Sequence, residues 1–476
     1  MESIIDSDSR HVRQWAIFSE ERRRSSALLE LAGAAAPVVS LFVKAAAAAA
    51  GLPLLASDFH AVRPGLANGN DLHWLLTDHE NVVCTIDQTV SYQYLDPLLC
   101  ASEAEEIANT YTHTWLVTHI ANPELAASRL EPLQDLSVPV LLAFASRSSV
   151  VVIRAETPRR AVRILGRLHW KPPPGGESPE MACTCAGLIV NELLLGIPSP
   201  APIPDVTWVG YYSRNRAYRI DIGSDHFARA LSDLVREGSC AEESQEDDAL
   251  VGARFKLVGA GALGTWTALC LAFHQPDLLE IFDDDRVELH NLNRQVLYAR
   301  RLHELKATAL ASELTRLVPA GRFLAKPQRV QCAGDLGPLG EFDALMVAPD
   351  NDSTRLICCD AAWRSGITCV QGGTSATGGQ VSVHGRHQAC FRCTTGIVEG
   401  DATAAQARSC ADQNSSVVAS NMVVAGLMVS ELREALAGRP ARNLRFVGDA
   451  RATNRLARMA TFSDCIHRDS FGKLDR

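Results

Sequence analysis

Short apolar runs closed by glycine or aspartate set the rhythm of the second half of this chain. Phe255 to Val258 predicts a buried strand, which runs into Gly259, Ala260, Gly261, Ala262, Leu263 and Gly264; the apolar stretch Thr265 to Phe273 then predicts a helix. Leu278 to Phe282 predicts a second strand ending at Asp283, and Ala344 to Ala348 a third ending at Asp350 and Asn351. The segment ELKATALASEL begins an amphipathic helix at Lys306, and a helix over Ser353 to Trp363 follows the third strand. Val417 to Leu436 is apolar nearly all round until Ser430, as expected of a core helix laid against a sheet. Strands alternating with helices in this way predict an α/β fold. In the first half, Asn122 to Arg154 pairs a helix with two β-rich runs, and Met181 to Gly196 reads as a long helix. The alanine run Ala45 to Ala50 lies among strong helix formers, in a segment too short and too weakly apolar to span a membrane. The region from Ala27 to Val90 shows no assignable pattern.

The glycine spacing has a chemical use. Glycines there permit a tight turn and let backbone N–H groups at a helix N-terminus approach negatively charged oxygens. Asp283, about twenty residues on, stands where a carboxylate accepts hydrogen bonds from a ribose. Alone, this says only that an adenosine-containing ligand binds. Asp285, Asn291, Arg294 and Gln295 follow without a break, and a nicotinamide-dinucleotide site gives no reason for a basic, amide-rich segment. A triphosphate does, because a guanidinium suits phosphate geometry and amides reach phosphate and ribose oxygens.

The order GxGxxG and then DxDxVExxNLxRQ resembles the ThiF/MoeB/E1 superfamily, enzymes that adenylate the C-terminus of ubiquitin-like and sulfur-carrier proteins. The resemblance implies ATP and Mg2+ as cofactors and an ATP site built on Gly259, Gly261, Gly264, Asp283, Asp285, Asn291, Arg294, Gln295, Lys306 and Asn351. Lys306 is similar to the family lysine that touches the phosphates; taken by itself it is a solvated helix lysine. Asp350, Asn351 and Arg355 resemble the family's DNxxxR element, whose Asp holds the magnesium ion. Asp352 is the adjacent competitor, with capping of the following helix as its structural alternative.

The resemblance extends to both ends. RxxRQ at Arg10 to Gln14, followed by Trp15, resembles the opening of E1 adenylation domains, so Arg13 is the expected arginine that reaches the ATP site of the partner half. Asn122 to Arg154 and Met181 to Gly196 resemble the later parts of an adenylation domain, yet no GxGxxG occurs before residue 200. The expected fold is therefore two tandem Rossmann-like adenylation domains: an inactive, degenerate copy over 1–236, an acidic linker over 237–250 (GSCAEESQEDD in its core), and an active copy over 251–476. Such a tandem chain is a pseudo-dimer that supplies Arg13 internally.

Fourteen cysteines without a secretory signal point to a reducing compartment, the cytoplasm, and to metal or catalytic thiols instead of disulfides. In this family a CxxC such as Cys390 and Cys393 is completed near the C-terminus to hold a structural Zn2+. Here Cys465 is present, Arg468 stands where its partner is expected, and His467 is the remaining ligand. Cys410 lies in a polar loop, Glu399 to Ser416, just before a helix, in the interval where E1 relatives place their acceptor cysteine. The resemblance thus implies an E1-like enzyme that adenylates a ubiquitin-like protein, forms a thioester on Cys410 and passes it to an E2-like partner. It leaves no room after the zinc region for a ubiquitin-fold domain, and it suggests bacterial conjugation operons, including antiphage ones. A net charge of −9 over 476 residues argues against nucleic acid as a partner, and no membrane association is expected. Two alternatives remain: adenylation of a sulfur carrier or peptide without a thioester, and a non-catalytic scaffold of the same fold.

Overall fold

The computed structural model describes residues 26–30, 37–52, 54–56, 92–94, 101–111, 113–120, 122–168, 177–195, 206–212, 216–221, 248–375, 378–385, 390–391, 417–439, 442–449 and 453–458. Their first strand is β1 (Ser26–Glu30), and helix α1 (Pro37–Ala50) and β2 (Leu54–Ala56) follow. These three elements occupy the region in which the sequence shows no pattern. Next come β3 (Tyr92–Tyr94), α2 (Ala101–Thr110), β4 (His113–His119), α3 (Pro123–Leu130), β5 (Val140–Ala145), β6 (Ser149–Ala155), α4 (Pro158–Leu165), α5 (Pro179–Leu195), β7 (Val206–Tyr212) and β8 (Arg216–Asp221). The second half repeats the scheme with β9 (Arg254–Val258), α6 (Ala262–Phe273), β10 (Leu278–Phe282), α7 (Lys306–Leu317), β11 (Phe323–Lys326), β12 (Ala344–Val347), α8 (Asp352–Ser365), β13 (Thr368–Ser375), β14 (Gly378–His384), α9 (Val418–Leu436), β15 (Leu444–Asp449) and β16 (Thr453–Arg458).

Each half builds one eight-stranded sheet, ordered β3-β2-β1-β4-β5-β6-β7-β8 and β11-β10-β9-β12-β13-β14-β15-β16. In both, the first five strands are parallel and the last three antiparallel. The order reverses beside β1 in one sheet and beside β9 in the other. In open α/β sheets, ligands bind outside the carboxyl ends of strands at such a switch point.

The two halves share one core. Helices α5 and α9 are apolar on nearly every side, and each is buried along its length. They pack against each other, with α1 on α5 and α6 on α9. Small residues set the approach: a Cβ on Gly187 would lie 2.8 Å from Val423 Cγ2, and one on Gly426 would run into Thr184 Oγ1 and the Glu180 carbonyl. Polar groups stitch the same seam. His274 bridges Asp248 and Glu180 through its two ring nitrogens (2.9 and 2.8 Å), and Arg433 pairs with Glu180 and donates to the Arg147 carbonyl. Tyr211 donates to Glu431 Oε1 at 2.9 Å. Asp248 and the fully buried Leu250, placed in the linker from sequence, are therefore packed parts of the fold. Among the described residues no helix is long and apolar enough to cross a membrane.

Candidate functional site

The switch point of the second sheet opens into a cleft of about 980 Å³. Its floor is the glycine turn. Gly259 has φ +96°, which favours glycine, and a Cβ there would sit 2.6 Å from the Ala348 carbonyl oxygen. A Cβ on Gly264 would collide with the Gly259 carbonyl, so this glycine lets the helix lie close on the strand. Gly261, the N-cap of α6, is different: a Cβ there meets nothing within 4 Å, and the residue lines the cleft. Two of the glycines thus serve packing, while the third leaves open space at a helix N-terminus. The helix starts at Ala262, three residues earlier than the sequence pattern suggests, because the turn itself winds into it.

Asp283 ends β10 beside this turn. Its carboxylate accepts from the backbone N–H of Ala260 (2.7 Å) and of Asp285 (2.9 Å). Burial pushes its carboxyl above the usual range, opposed by the positive charge of Lys306 and by these two N–H donors. Lys306 opens α7 and is 7% exposed, so it is no solvated helix lysine; its Nζ donates to Asp285 Oδ2 at 2.9 Å. Asn291 is buried and closes a reciprocal cap with Glu288, whose N–H it accepts at 2.9 Å. The Arg294 guanidinium donates to the His290 carbonyl (3.0 Å) and to Asn293 Oδ1 (2.7 Å). Gln295 lines the cleft with a buried Oε1 that has no hydrogen-bond partner among the described residues. A buried acceptor without a donor is costly unless a ligand supplies one.

The opposite wall comes from the end of β12. Asp350 is exposed and accepts from Asn351 Nδ2 at 3.2 Å. Asn351 is the N-cap of α8: its Oδ1 accepts from the Thr354 N–H (2.9 Å) and the Ser353 hydroxyl (2.8 Å). The capping alternative for Asp352 is therefore corrected. The helix begins at Asp352 itself, with the preceding amide as its cap. Arg355 reaches back from the first turn of α8 to the carbonyls of Gly372 and Pro349 and to Gln371 Oε1, with Asp352 3.8 Å away. Burial pulls its guanidinium below the ordinary range, and the Asp352 charge opposes this.

The cleft thus joins the glycine turn, Asp283, Asp285, Asn291, Arg294, Gln295, Lys306, Asp350 and Asn351 around one space. It also takes in residues that the sequence did not single out, above all Thr374 and Ser375 on β13, Gln380 on β14 and Arg445 on β15. These come from the last parallel strand and the antiparallel strands after it, which no local motif announces; their only sequence signal is the glycines at 372, 373, 378 and 379. Among the described residues no group of three or more His, Cys, Asp or Glu is placed to hold a metal alone. Asp350 fits a magnesium that takes its other ligands from phosphates and water. Cys390 is buried, whereas Cys393, Cys465 and His467, together with Arg13 and Cys410, lie outside the described residues.

Comparison with known proteins places this geometry. The model of the ThiF family matches residues 238–466. A sulfur carrier protein adenylyltransferase of Thermus thermophilus is 35% identical over 144 residues, 29% of this chain and 53% of that protein. An adenylyltransferase and sulfurtransferase, uba4, of Aspergillus niger is 34% identical over 137 residues, 28% of either chain. The chain thus spans about half of the first relative and little more than a quarter of the second. Among solved structures, E. coli MccB with ATP is similar at a TM-score of 0.40 and 16% identity, covering 52% of this chain and 74% of that one. The glycine turn, the Asp-Asn-Arg segment behind it and the family match coincide, and residues 238–466 form a domain of the ThiF family, within the ThiF/MoeB/E1 superfamily.

Proposed function

We propose that the second half adenylates the C-terminal carboxylate of a ubiquitin-like or sulfur-carrier protein. One observation carries this: a single cleft joins an open helix N-terminus at Gly261, the cations Lys306 and Arg294, the carboxylate Asp350, and a second arm along β13 to β15. A nucleotide fills the first arm and a peptide tail the second. The names of the relatives in Thermus and Aspergillus, both adenylyltransferases, support the reaction type.

In this reading the triphosphate lies over Gly259 to Gly264, and Asp283 accepts from the ribose. Gln295 Oε1 takes the donor it lacks, and Asp350 would hold a magnesium ion that neutralises the phosphates. The tail carboxylate attacks the α-phosphorus, the bond to the β-phosphate oxygen breaks, and pyrophosphate leaves. No general base is needed, since the carboxylate is ionised at neutral pH. Positioning and charge suffice. Arg13 adds charge neutralisation from the first half, which acts as an inactive adenylation domain of the same chain. Cys410 then attacks the acyl-adenylate, releasing AMP and forming a thioester for an E2-like protein. Cys390, Cys393, Cys465 and His467 would hold a structural zinc.

A second reading stops at the adenylate, as expected of a chain that serves a sulfur carrier; the names of the two relatives, a sulfur carrier protein adenylyltransferase and an adenylyltransferase and sulfurtransferase, favour it. ATP–pyrophosphate exchange in the presence of a carrier protein tests the first step. Asp350→Ala should abolish exchange, and retained exchange overturns the site. Cys410→Ala should keep exchange and lose a reductant-sensitive adduct; no adduct in the parent protein decides for the second reading.

A further inference from the structure

The cleft's positive side chains are nearly all spoken for. Lys306 pairs with Asp285 and Arg329 with Asp284, Arg355 is held by Asp352 and two carbonyls, and Arg286 and Arg294 donate to the carbonyls of His303 and His290. Arg445 differs. It is exposed, lines the cleft, and has neither a carboxylate nor a carbonyl partner among the described residues.

Its place in the sheet gives it a direction. Gly373 stands directly opposite Gln380, and Gln380 directly opposite Arg445, so the three form one row across β13, β14 and β15 on a single face. That face is the one on which Arg355 lies, 3.6 Å from where a Gly373 Cβ would be; Gly372 and Gly379 turn the other way, toward Met428 and Val424 of α9. At about 4.8 Å per strand the row runs roughly 10 Å from Gly373, beside Arg355, to Arg445. An extended peptide advances about 3.3 Å per residue, so roughly three residues cover the row. Gly373 presents no side chain at the reacting end, and the Gln380 amide lies midway for a peptide group.

We infer that Arg445 selects an acidic side chain, about three residues from the reacting carboxylate, in the tail of the protein that this cleft adenylates. The inference rests on the proposed adenylation for the placement of that carboxylate. A cation left unpaired where a peptide enters costs nothing in the free protein and discriminates by attraction and by repulsion.

The test uses the full-length protein, a non-hydrolysable ATP analogue with Mg2+, and fluorescein-labelled heptapeptides ending in Gly-Gly with Asp, Ala or Lys as the third residue from the end. Anisotropy titrations at low ionic strength should show the Asp peptide bound about tenfold more tightly than the Lys peptide, with the difference shrinking in salt. Arg445→Gln should erase the preference and Arg445→Glu should reverse it, a gain for the Lys peptide that misfolding cannot mimic. Equal affinities for the three peptides, no binding of any of them, or a preference unchanged in Arg445→Glu overturns the inference. ATP–pyrophosphate exchange on the same preparations separates the two ideas. A charge preference that follows residue 445 without exchange sinks adenylation and keeps the peptide subsite; exchange indifferent to residue 445 does the reverse.

Discussion

The two sheets share one strand order but treat the same corner in opposite ways. In the second half β9 leads through the glycine turn into α6, and the helix N-terminus at Gly261 faces open cleft. In the first half β1 leads after six residues into α1, and the N–H of Val38 donates to Glu177 Oε1 at 2.7 Å. A helix N-terminus favours an anion. One half leaves that place open, and the other fills it with its own carboxylate. The comparison teaches that a fold can be kept while its ligand position is given to packing, and four perturbations break or sharpen it.

The largest effect is expected at the seam that makes the halves one body. Gly426→Val would drive a branched side chain into Thr184 and the Glu180 backbone, where helices α5 and α9 approach. Overpacking of that kind costs about 3 kcal/mol or more where backbone must move. Urea unfolding should show a single transition shifted strongly to lower denaturant. An unchanged midpoint would mean that the two halves are held together elsewhere.

The glycine turn divides more finely. Gly264→Ala puts a Cβ against the Gly259 carbonyl and should lower thermal stability whether or not ATP is present. The Cβ of Gly261→Val meets nothing within 4 Å, so the melting temperature should fall by no more than the loss of a good N-cap while ATP affinity falls, because the new side chain enters the open cleft at the helix N-terminus. A fall of about tenfold or more in calorimetric affinity is expected where the backbone can no longer approach the phosphates. Undiminished ATP binding by Gly261→Val would remove the turn from the site.

Why this turn was legible in the sequence and its counterpart was not follows from the range of the forces involved. Gly259 and Gly264 answer to contacts within a few residues or with the next parallel strand, so their spacing is written locally. Asp283 and Asn351 cap backbone groups close to them in the chain or at the adjoining strand end, and they too announce themselves. Helix α1 has no such mark. Its alanines are fully buried against α5, a partner more than a hundred residues away, so any small apolar residue serves and no motif survives. Glu177, which fills its N-terminus, is equally remote from Val38. Arg445 escaped notice for the same reason, reaching the cleft only through the pairing of β14 with β15.

Glu177 offers the third perturbation. Burial pushes its carboxyl up to about 7, against the pull of the Val38 N–H. A carboxyl raised in the folded state holds its proton while the unfolded chain releases one, so the folded state binds more protons between about 4.5 and 7. Its contribution is therefore full at low pH and is lost as pH rises through that window. Glu177→Gln keeps an acceptor for Val38 and removes the titration. The difference in unfolding free energy between parent and variant should move by on the order of 2 kcal/mol in favour of the variant from pH 5 to pH 8. A pH-independent difference would show that Glu177 is not buried as an anion. ATP stoichiometry should remain one per chain in both.

The smallest effects compare one capping device in two settings. Asn122 Oδ1 accepts from the Leu125 N–H at 3.0 Å to start α3, and Asn351 does the same for α8, with Thr354 as its donor. Replacing either by alanine should cost about 1 kcal/mol. The resemblance ends at Asn351 Nδ2, which also donates to Asp350. Asn351→Asp should therefore keep most of the cap and lose the donor, and it sets a second negative charge beside Asp350. Its unfolding midpoint should stay close to that of the parent while ATP–pyrophosphate exchange falls. Asn122→Asp should change neither. If exchange follows stability in both pairs of variants, Asn351 acts only as a cap, and the two halves use the device alike.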